Sequence, residues 1–486
     1  MTVTRNQALR RLIGAIPSDV SNDAIGARAP KIDDMFAPEA HSAALDPDNP
    51  IVVGARGAGK SFWSGVLGNE ATKEAAALAY PRLGLEKVLV EFGYTGVPGG
   101  KGLARDVIDN LKADETEESA RAFWWATILR AAFFYKNEAP PPKFSKLISM
   151  ANDWEERGEF LDKINNELAN SDKKLLIVYD ALDTISTSWS GRRLLTEALL
   201  EIVWALRGYP EIAPKLFVRP DQIDDSSLRF VELPKLRAGA IRLLWSGTDL
   251  YGLFFSRIGL AKDPAANAEV TKLLREVNLA MPTREDVLQG SWAPAWDEFT
   301  QRHLMEQLAG PFMGSGTYGY KKGRTYDWPL SHLADAHDEV TPRSFLGLLI
   351  GAAKAAGIGD DRVITPEGIR HGLRTASQNR VDQLHQEFPW IKGVLAPLDG
   401  LLLPQEPKAV FKVWKAAKTV ASLKQDAKKL GYLFPIPDST HNEEEGLLTA
   451  LRQIGVMFVR KDERVDMPDL YRVAARLLKK GGTAPL

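Results

Sequence analysis

The fold of this chain can be predicted from one stretch, Ile51-Val-Val-Gly-Ala-Arg-Gly-Ala-Gly-Lys60-Ser61-Phe-Trp63. Residues 51–53 are β-branched and apolar, which predicts a short buried strand. The apolar run that begins at Phe62 favours a helix. Between them, the glycines at 54, 57 and 59 allow the backbone to direct its N–H groups towards an anion at the helix N-terminus. The stretch therefore predicts an α/β fold in which strand, anion-binding loop and helix follow one another.

The spacing Gly54-x-x-x-x-Gly59-Lys60-Ser61 is the Walker A pattern of P-loop nucleotide-binding proteins. It predicts that Lys60 reaches the β- and γ-phosphates of ATP and that the Ser61 hydroxyl binds Mg²⁺. The predicted nucleotide-binding residues are Gly54, Ala55, Arg56, Gly57, Ala58, Gly59, Lys60, Ser61 and Phe62. The alternative is a glycine-rich turn that contains Lys-Ser by chance, which the flanking strand and helix disfavour.

A second strand with chemistry at its end is predicted at 175–179, within Lys-Lys-Leu-Leu-Ile-Val-Tyr-Asp-Ala-Leu-Asp at 173–183. A continuous apolar run that ends in an acid is typical of a central parallel strand, here of the Walker B type. We expect Asp180 to hold Mg²⁺, because carboxylate oxygen suits a hard cation. Asp183 lies in the following turn, where it can orient the attacking water. A further strand is predicted at 86–94.

Two arginines are candidates for contact with the γ-phosphate. Arg219 lies at the tip of a predicted strand at 215–221, where either Arg219 or Asp221 could sense the phosphate; the alternative is an arginine that caps the sheet edge. Arg343 follows Thr341-Pro342, a typical helix start, and its charge is unfavourable in a first turn. An anionic partner or an ordinary salt bridge would explain it.

Composition bounds the class of protein. The chain has 486 residues, 44% hydrophobic and 26% charged, with a formal net charge of −1. It contains no cysteine, which excludes disulfides and thiolate chemistry. The N-terminal sequence lacks the apolar core of a signal peptide, and no apolar run is long enough to span a bilayer. We therefore expect a soluble, cytoplasmic protein with no membrane partner.

The C-terminal part differs in charge, with 15 Lys and Arg against nine Asp and Glu from residue 408 onward. Helices are predicted at 410–430 and 444–454, a β-ribbon at 456–468 with its turn at 461–463, and a closing helix at 469–480. This order resembles a winged-helix domain, a relative of the helix-turn-helix. Winged helices bind DNA or serve as protein-contact modules, and the basic excess slightly favours DNA.

With both Walker motifs in place, the chain resembles the AAA+/STAND branch of P-loop ATPases, and is similar to bacterial ATPases of anti-phage defence or mobile elements. The resemblance includes the acid-small-apolar-acid order at 180–183, Phe217-x-Arg219-x-Asp221, the run from Trp245 to Ile258, and the ending from Pro468 to Gly482. Thr184 stands where many relatives have a further acid, which implies slow hydrolysis. The resemblance implies a three-layer α/β core with a helical lid and a C-terminal winged helix. The implied domains are an N-terminal adaptor at 1–50, an ATPase core at 51–236, a lid at 237–400 and a winged helix at 401–486.

These patterns lead to three functional hypotheses. In the first, the protein is an ATP-hydrolysing switch with Mg²⁺ that forms homo-oligomers and acts with a separate effector protein; Arg257 is a candidate for an arginine finger in trans. In the second, it is a DNA-binding AAA+ ATPase of the origin-recognition or transposition-helper type. In the third, it binds nucleotide without turnover. The catalytic residues of the first hypothesis are Lys60, Asp180, Asp183, Arg219 and Arg343.

Overall fold

A computed structural model describes residues 5–17, 30–97, 102–136, 139–141, 143–223, 228–357, 361–436 and 442–485. The chain forms two compact units. We call residues 20–244 the sheet unit, and residues 1–19 together with 245–486 the helical unit. The finer division into four domains stays a prediction. Over the described ranges, no helix is both long and apolar enough to cross a membrane.

The sheet unit is built on five parallel strands in the order β2-β3-β4-β1-β5. The strands are β1 (Ile51–Val53), β2 (Val88–Tyr94), β3 (Lys174–Tyr179), β4 (Ile212–Val218) and β5 (Ile241–Arg242). The predicted α/β class is confirmed, as are the four predicted strands, although β4 begins before residue 215 and ends at Val218. Because parallel strands end on the same side, the chain segments after β1, β3 and β4 lie at one edge of the sheet.

Helices cover the sheet, and all of β1 and nearly all of β3 are buried. Helix α1 (Arg5–Ala15) belongs to the helical unit. The helices of the sheet unit are α2 (Ser42–Leu45), α3 (Lys60–Leu67), α4 (Glu70–Ala79), α5 (Arg105–Leu111), α6 (Glu117–Tyr135), α7 (Phe144–Asn152), α8 (Trp154–Asn170), α9 (Trp189–Ala205), α10 (Pro220–Ile223) and α11 (Leu233–Ala238). Phe123 and Trp124 of α6 are fully buried. The Trp124 indole donates to the carbonyl of Leu195 in α9 at 2.8 Å, which ties these two covering helices together.

The helical unit begins with α1 (Arg5–Ala15), whose Arg10 side chain donates to the Val363 carbonyl at 3.2 Å. The helix at Pro342–Ala355 and the helix at Pro366–Glu387 pack closely, because a Cβ placed on Gly372 would lie 2.1 Å from the Leu348 carbonyl oxygen. The helices up to residue 400 are α12 (Gly247–Gly259), α13 (Pro264–Arg275), α14 (Arg284–Leu288), α15 (Glu298–Ala309), α16 (Asp327–Leu333), α17 (Pro342–Ala355), α18 (Pro366–Glu387) and α19 (Ile391–Leu395).

In its described residues, the C-terminal part of the helical unit contains three helices, a hairpin and a fourth, short helix. The elements are β6 (Leu402–Leu403), α20 (Pro407–Ala416), α21 (Thr419–Leu430), α22 (Glu443–Gln453), β7 (Phe458–Val459), β8 (Val465–Asp466), α23 (Asp469–Arg472) and β9 (Leu478–Lys479). The hairpin β7–β8 is antiparallel, as predicted for the ribbon, and β6 pairs in parallel with β9. The assignment of this part as a winged helix stays a prediction.

Two predicted helices in this part are wrong. The single helix at 410–430 is broken between α20 and α21, where Lys418 has a φ of 52°. The closing helix at 469–480 ends at Arg472. The Arg472 side chain is fully buried and donates to the carbonyls of Leu477 and Thr483, so the chain folds back around it instead of continuing as a helix.

Candidate nucleotide-binding site

The loop at residues 54–59 leaves β1 and enters α3 through two glycines in left-handed conformations. Gly57 has a φ of 87° and Gly59 a φ of 104°. Side chains with a Cβ rarely adopt such angles, so these positions favour glycine. Helix α3 starts at Lys60, directly after Gly59. The strand, loop and helix that the sequence predicts are therefore present, with the N-terminus of α3 at the carboxyl edge of the sheet.

Lys60 folds back over this loop. Its ammonium group donates to the carbonyl oxygens of Gly54 at 2.7 Å and of Ala55 at 3.2 Å. A Cβ on Gly54 would lie 3.2 Å from Cγ of Lys60 and 3.3 Å from Cβ of Ala58, so a side chain at position 54 would crowd the lysine. Ala58 and Phe62 are buried. These two predicted residues could therefore contact a ligand through their backbone only.

Asp180 directly follows β3 and is a buried carboxylate, with 1% of its surface exposed. Burial raises its pKa, while hydrogen bonds from the Ala181 backbone and the Ser61 hydroxyl and the charge of Lys60 act in the opposite direction. Its Oδ2 atom has no hydrogen-bond partner among the described residues. A buried carboxylate oxygen without a partner, next to a serine hydroxyl, is the donor set that a hard cation such as Mg²⁺ takes. The residues present therefore fit this ion.

Asp183 and both candidate residues of the strand tip form one ion-paired cluster. The Arg219 guanidinium donates to both carboxylate oxygens of Asp221, at 3.0 and 2.8 Å, and to Oδ2 of Asp183 at 3.3 Å. Only 7% of the Arg219 side chain is exposed, against 40% of Asp183. Gln222 accepts from the Arg219 backbone N–H at 2.9 Å. The structure thus brings Arg219 and Asp221 together with Asp183; a role for any of them in sensing a phosphate stays a prediction.

Arg192 on α9 is a second cation near this cluster, which the sequence analysis does not identify. Burial and the charge of Arg219 lower its pKa, whereas Asp221 and Asp183 act in the opposite direction. Two guanidinium groups and two carboxylates therefore neighbour one another at this edge. The sequence does not show that an arginine on this long predicted helix lies near the strand tip, because only the folded chain brings Arg192 close to Arg219.

A hydrogen-bonded chain that the sequence analysis also misses supports the turn between Asp180 and Asp183. Ala181 adopts a left-handed conformation with a φ of 54°. The Thr184 hydroxyl donates to the Ala181 carbonyl at 2.8 Å and lies 2.9 Å from the Tyr94 hydroxyl. Because Thr184 has one proton to give, Tyr94 is the donor in the second bond. Burial raises the pKa of Tyr94 to about 12, so this proton is retained at neutral pH.

His41 is a further buried group that no sequence pattern indicates. The indole N–H of Trp63 in α3 donates to Nδ1 of His41 at 3.1 Å, and Nε2 lies 2.9 Å from the Leu244 carbonyl oxygen. Nδ1 accepts, so the ring is neutral and Nε2 carries the proton that bonds Leu244. Helix α3 is thereby linked to the segment before β1 and to the last residue of the sheet unit.

Two predicted residues belong to the helical unit. Arg343 is half-buried in the first turn of α17, where Thr341 caps the helix by accepting from the Ser344 N–H. Arg257 is half-buried near the end of α12. Their participation in a nucleotide site stays a prediction. Within the part of the chain that the structure describes, no cluster of three or more His, Asp or Glu residues could hold a metal ion.

Comparison with known proteins adds little to this geometry. No family model and no curated protein matches the chain. Among solved structures, it is similar to that of the Aeropyrum pernix ORC2 protein in ADPNP–ADP complexes, with 12% identity over 90% of this chain and 93% of that chain and a TM-score of 0.30. A likeness at this level supports no argument about function. The assignment that follows therefore rests on the residues of the sheet unit and their contacts.

Proposed function

We propose that the sheet unit binds ATP together with Mg²⁺ and hydrolyses it as a slow molecular switch. One observation carries the proposal: a glycine-built loop of Walker A spacing places Ser61 against the buried carboxylate of Asp180, with the charge of Lys60 beside them. A buried aspartate without a full set of hydrogen bonds is costly in a purely structural role. Binding of a cation would offset that cost.

Each residue has a part in this proposal. Backbone N–H groups of the loop and the N-terminus of α3 bind phosphate oxygens, and the Lys60 ammonium exchanges its loop carbonyl partners for phosphate. Ser61 and Asp180 would hold Mg²⁺, which would supply charge neutralisation at the phosphates. Asp183 orients the attacking water, and Arg219 fixes the position of Asp183. Thr184 and Tyr94 hold the turn that carries both aspartates.

ATP turnover by the wild type and by Lys60→Ala tests the proposal. We expect turnover to fall at least about a hundredfold in Lys60→Ala, because one preorganised cation at the phosphates is lost. Lys112→Ala, which changes an exposed lysine outside the site, should keep wild-type turnover and serves as the matched control. Equal ATP binding and equal turnover by Lys60→Ala and the wild type would overturn the assignment. Intact ATP after long incubation with a protein that binds it would favour a nucleotide-binding module without turnover.

The larger assembly is a further part of this proposal, and its support is the sequence resemblance to defence and mobile-element ATPases. A homo-oligomer would supply Arg257 to a neighbouring site, and a separate effector protein would respond to the nucleotide state. Light scattering with and without ATP and Mg²⁺ measures the oligomer. If Arg257 acts in trans, Arg257→Ala should lower turnover, and mixing it with Lys60→Ala protein should restore part of the activity. No recovery in the mixture would exclude Arg257 as the finger.

The second candidate function is a DNA-binding ATPase, and the basic face of α20 favours it. Lys408, Lys412 and Lys415 recur at helical spacing on this helix and are exposed. In a helix-turn-helix made by α21 and α22, however, the second helix enters the major groove. Helix α22 begins with Glu443, Glu444 and Glu445, which DNA phosphates would repel. The charges therefore favour contact between α20 and the DNA phosphate backbone over insertion of α22 into the major groove.

Duplex binding as a function of salt tests this candidate. Replacing Lys408, Lys412 and Lys415 with glutamine should weaken duplex binding and reduce the dependence of log K on log salt by about three units, roughly one per phosphate contact. ATPase activity that duplex DNA does not change, together with duplex binding that the triple substitution does not alter, would contradict it.

A further inference from the structure

The helical unit displays an exposed loop that neither of the proposed functions uses. We call residues 311–325, between α15 and α16, the aromatic–basic loop. Tyr318 and Tyr320 within it are 68% and 56% exposed. Lys321, Lys322 and Arg324 follow directly and are exposed as well. Large aromatic side chains are costly to leave in water, so two of them beside three cations need a functional explanation.

The loop is held in one shape by its own backbone. Phe312 and Arg324 form an antiparallel bridge, and the Met313 N–H donates to the Gly323 carbonyl at 2.9 Å. A Cβ on Gly314 would lie 2.8 Å from the Gly319 carbonyl oxygen, so the two arms of the loop touch through glycines. A display that is already ordered loses little conformational entropy when it binds a partner.

Its base is anchored to the buried part of the unit. Thr325 is fully buried, and its hydroxyl donates to the Gly310 carbonyl at 2.5 Å. Arg370 of α18 donates to the Met313 carbonyl at 3.2 Å. The exposed tip therefore stands on a fixed support, and substitutions at the tip leave these anchors in place.

The charge of the loop is of one sign. Residues 307–326 include no Asp or Glu. In the described ranges, none of Lys321, Lys322 and Arg324 forms an ion pair with a carboxylate. The Lys321 ammonium instead lies 4.7 Å from the centroid of the Tyr318 ring. Because no carboxylate neutralises these three cations within the described residues, the loop favours an anionic ligand from outside the unit.

We infer that the aromatic–basic loop binds single-stranded nucleic acid. Each base presents an aromatic face that can stack on Tyr318 or Tyr320, and the phosphates between bases can meet Lys321, Lys322 and Arg324. A ligand can contact the tyrosines and the cations together only if its bases are unstacked, because the base faces inside a duplex are covered by neighbouring bases. The cations alone would bind both a single strand and a duplex. The exposed tyrosines therefore favour the single strand. The inference is independent of nucleotide hydrolysis in the sheet unit.

Fluorescence anisotropy with a labelled oligothymidylate of about 16 nucleotides, at the upper end of known single-strand footprints, tests the inference on the full chain. We expect binding that weakens as salt rises. Tyr318→Ala and Tyr320→Ala should each weaken it at least about fivefold, whereas Tyr318→Phe and Tyr320→Phe should keep wild-type affinity because they retain the ring. Replacing Lys321, Lys322 and Arg324 with glutamine should lower the slope of log K against log salt by about two units.

Two matched controls separate the loop from general effects of charge and apolar surface. Replacing Lys146, Lys163 and Lys173 with glutamine removes the same charge from exposed lysines of the sheet unit, and should keep oligothymidylate affinity within about twofold of the wild type. Phe299→Ala removes an aromatic side chain that is 78% exposed outside the loop, and should have no effect. Thermal unfolding of each variant confirms that it is folded.

Three outcomes would overturn the inference. One is the absence of oligothymidylate binding at low salt. Another is an equal loss of affinity in the control triple of the sheet unit and in the loop triple, which would indicate nonspecific attraction by positive charge. The third is binding that tyrosine-to-alanine substitutions leave unchanged, or that prefers a duplex of the same length, since the tyrosines would then have no part in recognition.

Discussion

The carboxyl edge of the sheet and the aromatic–basic loop use charged residues in opposite ways. At the sheet edge, Asp180 is 1% exposed and the Arg219 side chain 7% exposed, and each group is next to others of opposite charge. In the loop, Lys321, Lys322 and Arg324 lie on the surface. Charge at the first site is therefore neutralised within the packing, whereas charge at the second site is exposed to a ligand from outside the unit.

This contrast has an energetic side. A buried ion is stable only with partners, so a substitution at the sheet edge should change stability, metal dependence or pH dependence. Exposed cations contribute little to folding, so substitutions in the loop should change binding alone.

Asp180→Asn should separate folding from ligand binding at the sheet edge. The buried Asp180 carboxylate lacks a hydrogen-bond partner at Oδ2, so its replacement by a neutral amide should raise the melting temperature in the absence of ligand. The variant should lose the Mg²⁺-dependent part of the stabilisation that ATP and Mg²⁺ together give the wild type, which is about 2.7 kcal/mol in total at a ligand concentration of 100 Kd. Calorimetry with and without ligand measures both. Asp183→Asn, at a half-exposed position, is the control that should not raise stability; a lower melting temperature for ligand-free Asp180→Asn would contradict the account.

Lys215 should make the sheet unit more stable as pH rises above neutral. Its ammonium group donates to the carbonyls of Asp46 and Asn49, and burial lowers its pKa to about 7 from an ordinary value of 10.5. Between these values the unfolded chain binds more protons than the folded one, so the free energy of unfolding increases with pH, by about 2 kcal/mol from pH 7 to pH 9. Lys215→Met should remove this increase, and Lys174→Met, at a partly exposed lysine, should retain it. Calorimetry at the two pH values decides; the same pH dependence in Lys215→Met would exclude Lys215 as its source.

Thr184→Val tests whether the hydrogen bonds of Thr184 to Ala181 and Tyr94 stabilise the turn between the two aspartates. The substitution keeps the shape but removes the bond to the Ala181 carbonyl and leaves the Tyr94 hydroxyl without its acceptor. We expect a loss of about 1 kcal/mol in the free energy of unfolding, and a lower turnover at unchanged ATP affinity. Thr184→Ser, which keeps the hydroxyl, should behave like the wild type in denaturant titration. A valine variant with full stability and turnover would mean that the chain of hydroxyls is not needed.

The glutamine triple at Lys321, Lys322 and Arg324 should have the smallest effect on folding. We expect the free energy of unfolding to stay within about 0.5 kcal/mol of the wild type, because these side chains are exposed and pair with no carboxylate in the described ranges. Denaturant titration measures it. A loss of several kcal/mol would show that the loop is a structural element and would remove the contrast between the two regions.

The sequence predicts the parts of the fold that depend on local pattern. The strands at 51–53 and 175–179 are confirmed, since apolar β-branched runs that end in glycine or acid have few other conformations. The Walker A spacing predicts the loop conformation, because Gly57 and Gly59 occupy angles that other residues avoid. The carboxyl ends of parallel strands meet by topology, so the approach of Asp180 to Ser61 follows from the same patterns.

What the sequence does not predict depends on contacts between distant residues. Tyr94 and Thr184 are 90 positions apart, and Trp63 and His41 are joined only in the fold. The end of α23 is set by the buried Arg472, which donates to the downstream carbonyls of Leu477 and Thr483. A helical pattern at 469–480 therefore loses to a tertiary interaction that propensity does not include.

The proposed site requires that Ser61 and Asp180 hold the same Mg²⁺ beside bound ATP. Titration of ATP with and without Mg²⁺ into the wild type, Ser61→Ala, Asp180→Asn and the double variant tests it most directly. We predict that Mg²⁺ raises the affinity of the wild type for ATP at least about tenfold, that either substitution removes this gain, and that the double variant is no weaker than the single ones. A Mg²⁺ effect that persists in both single variants, or losses that add in the double variant, would contradict the claim.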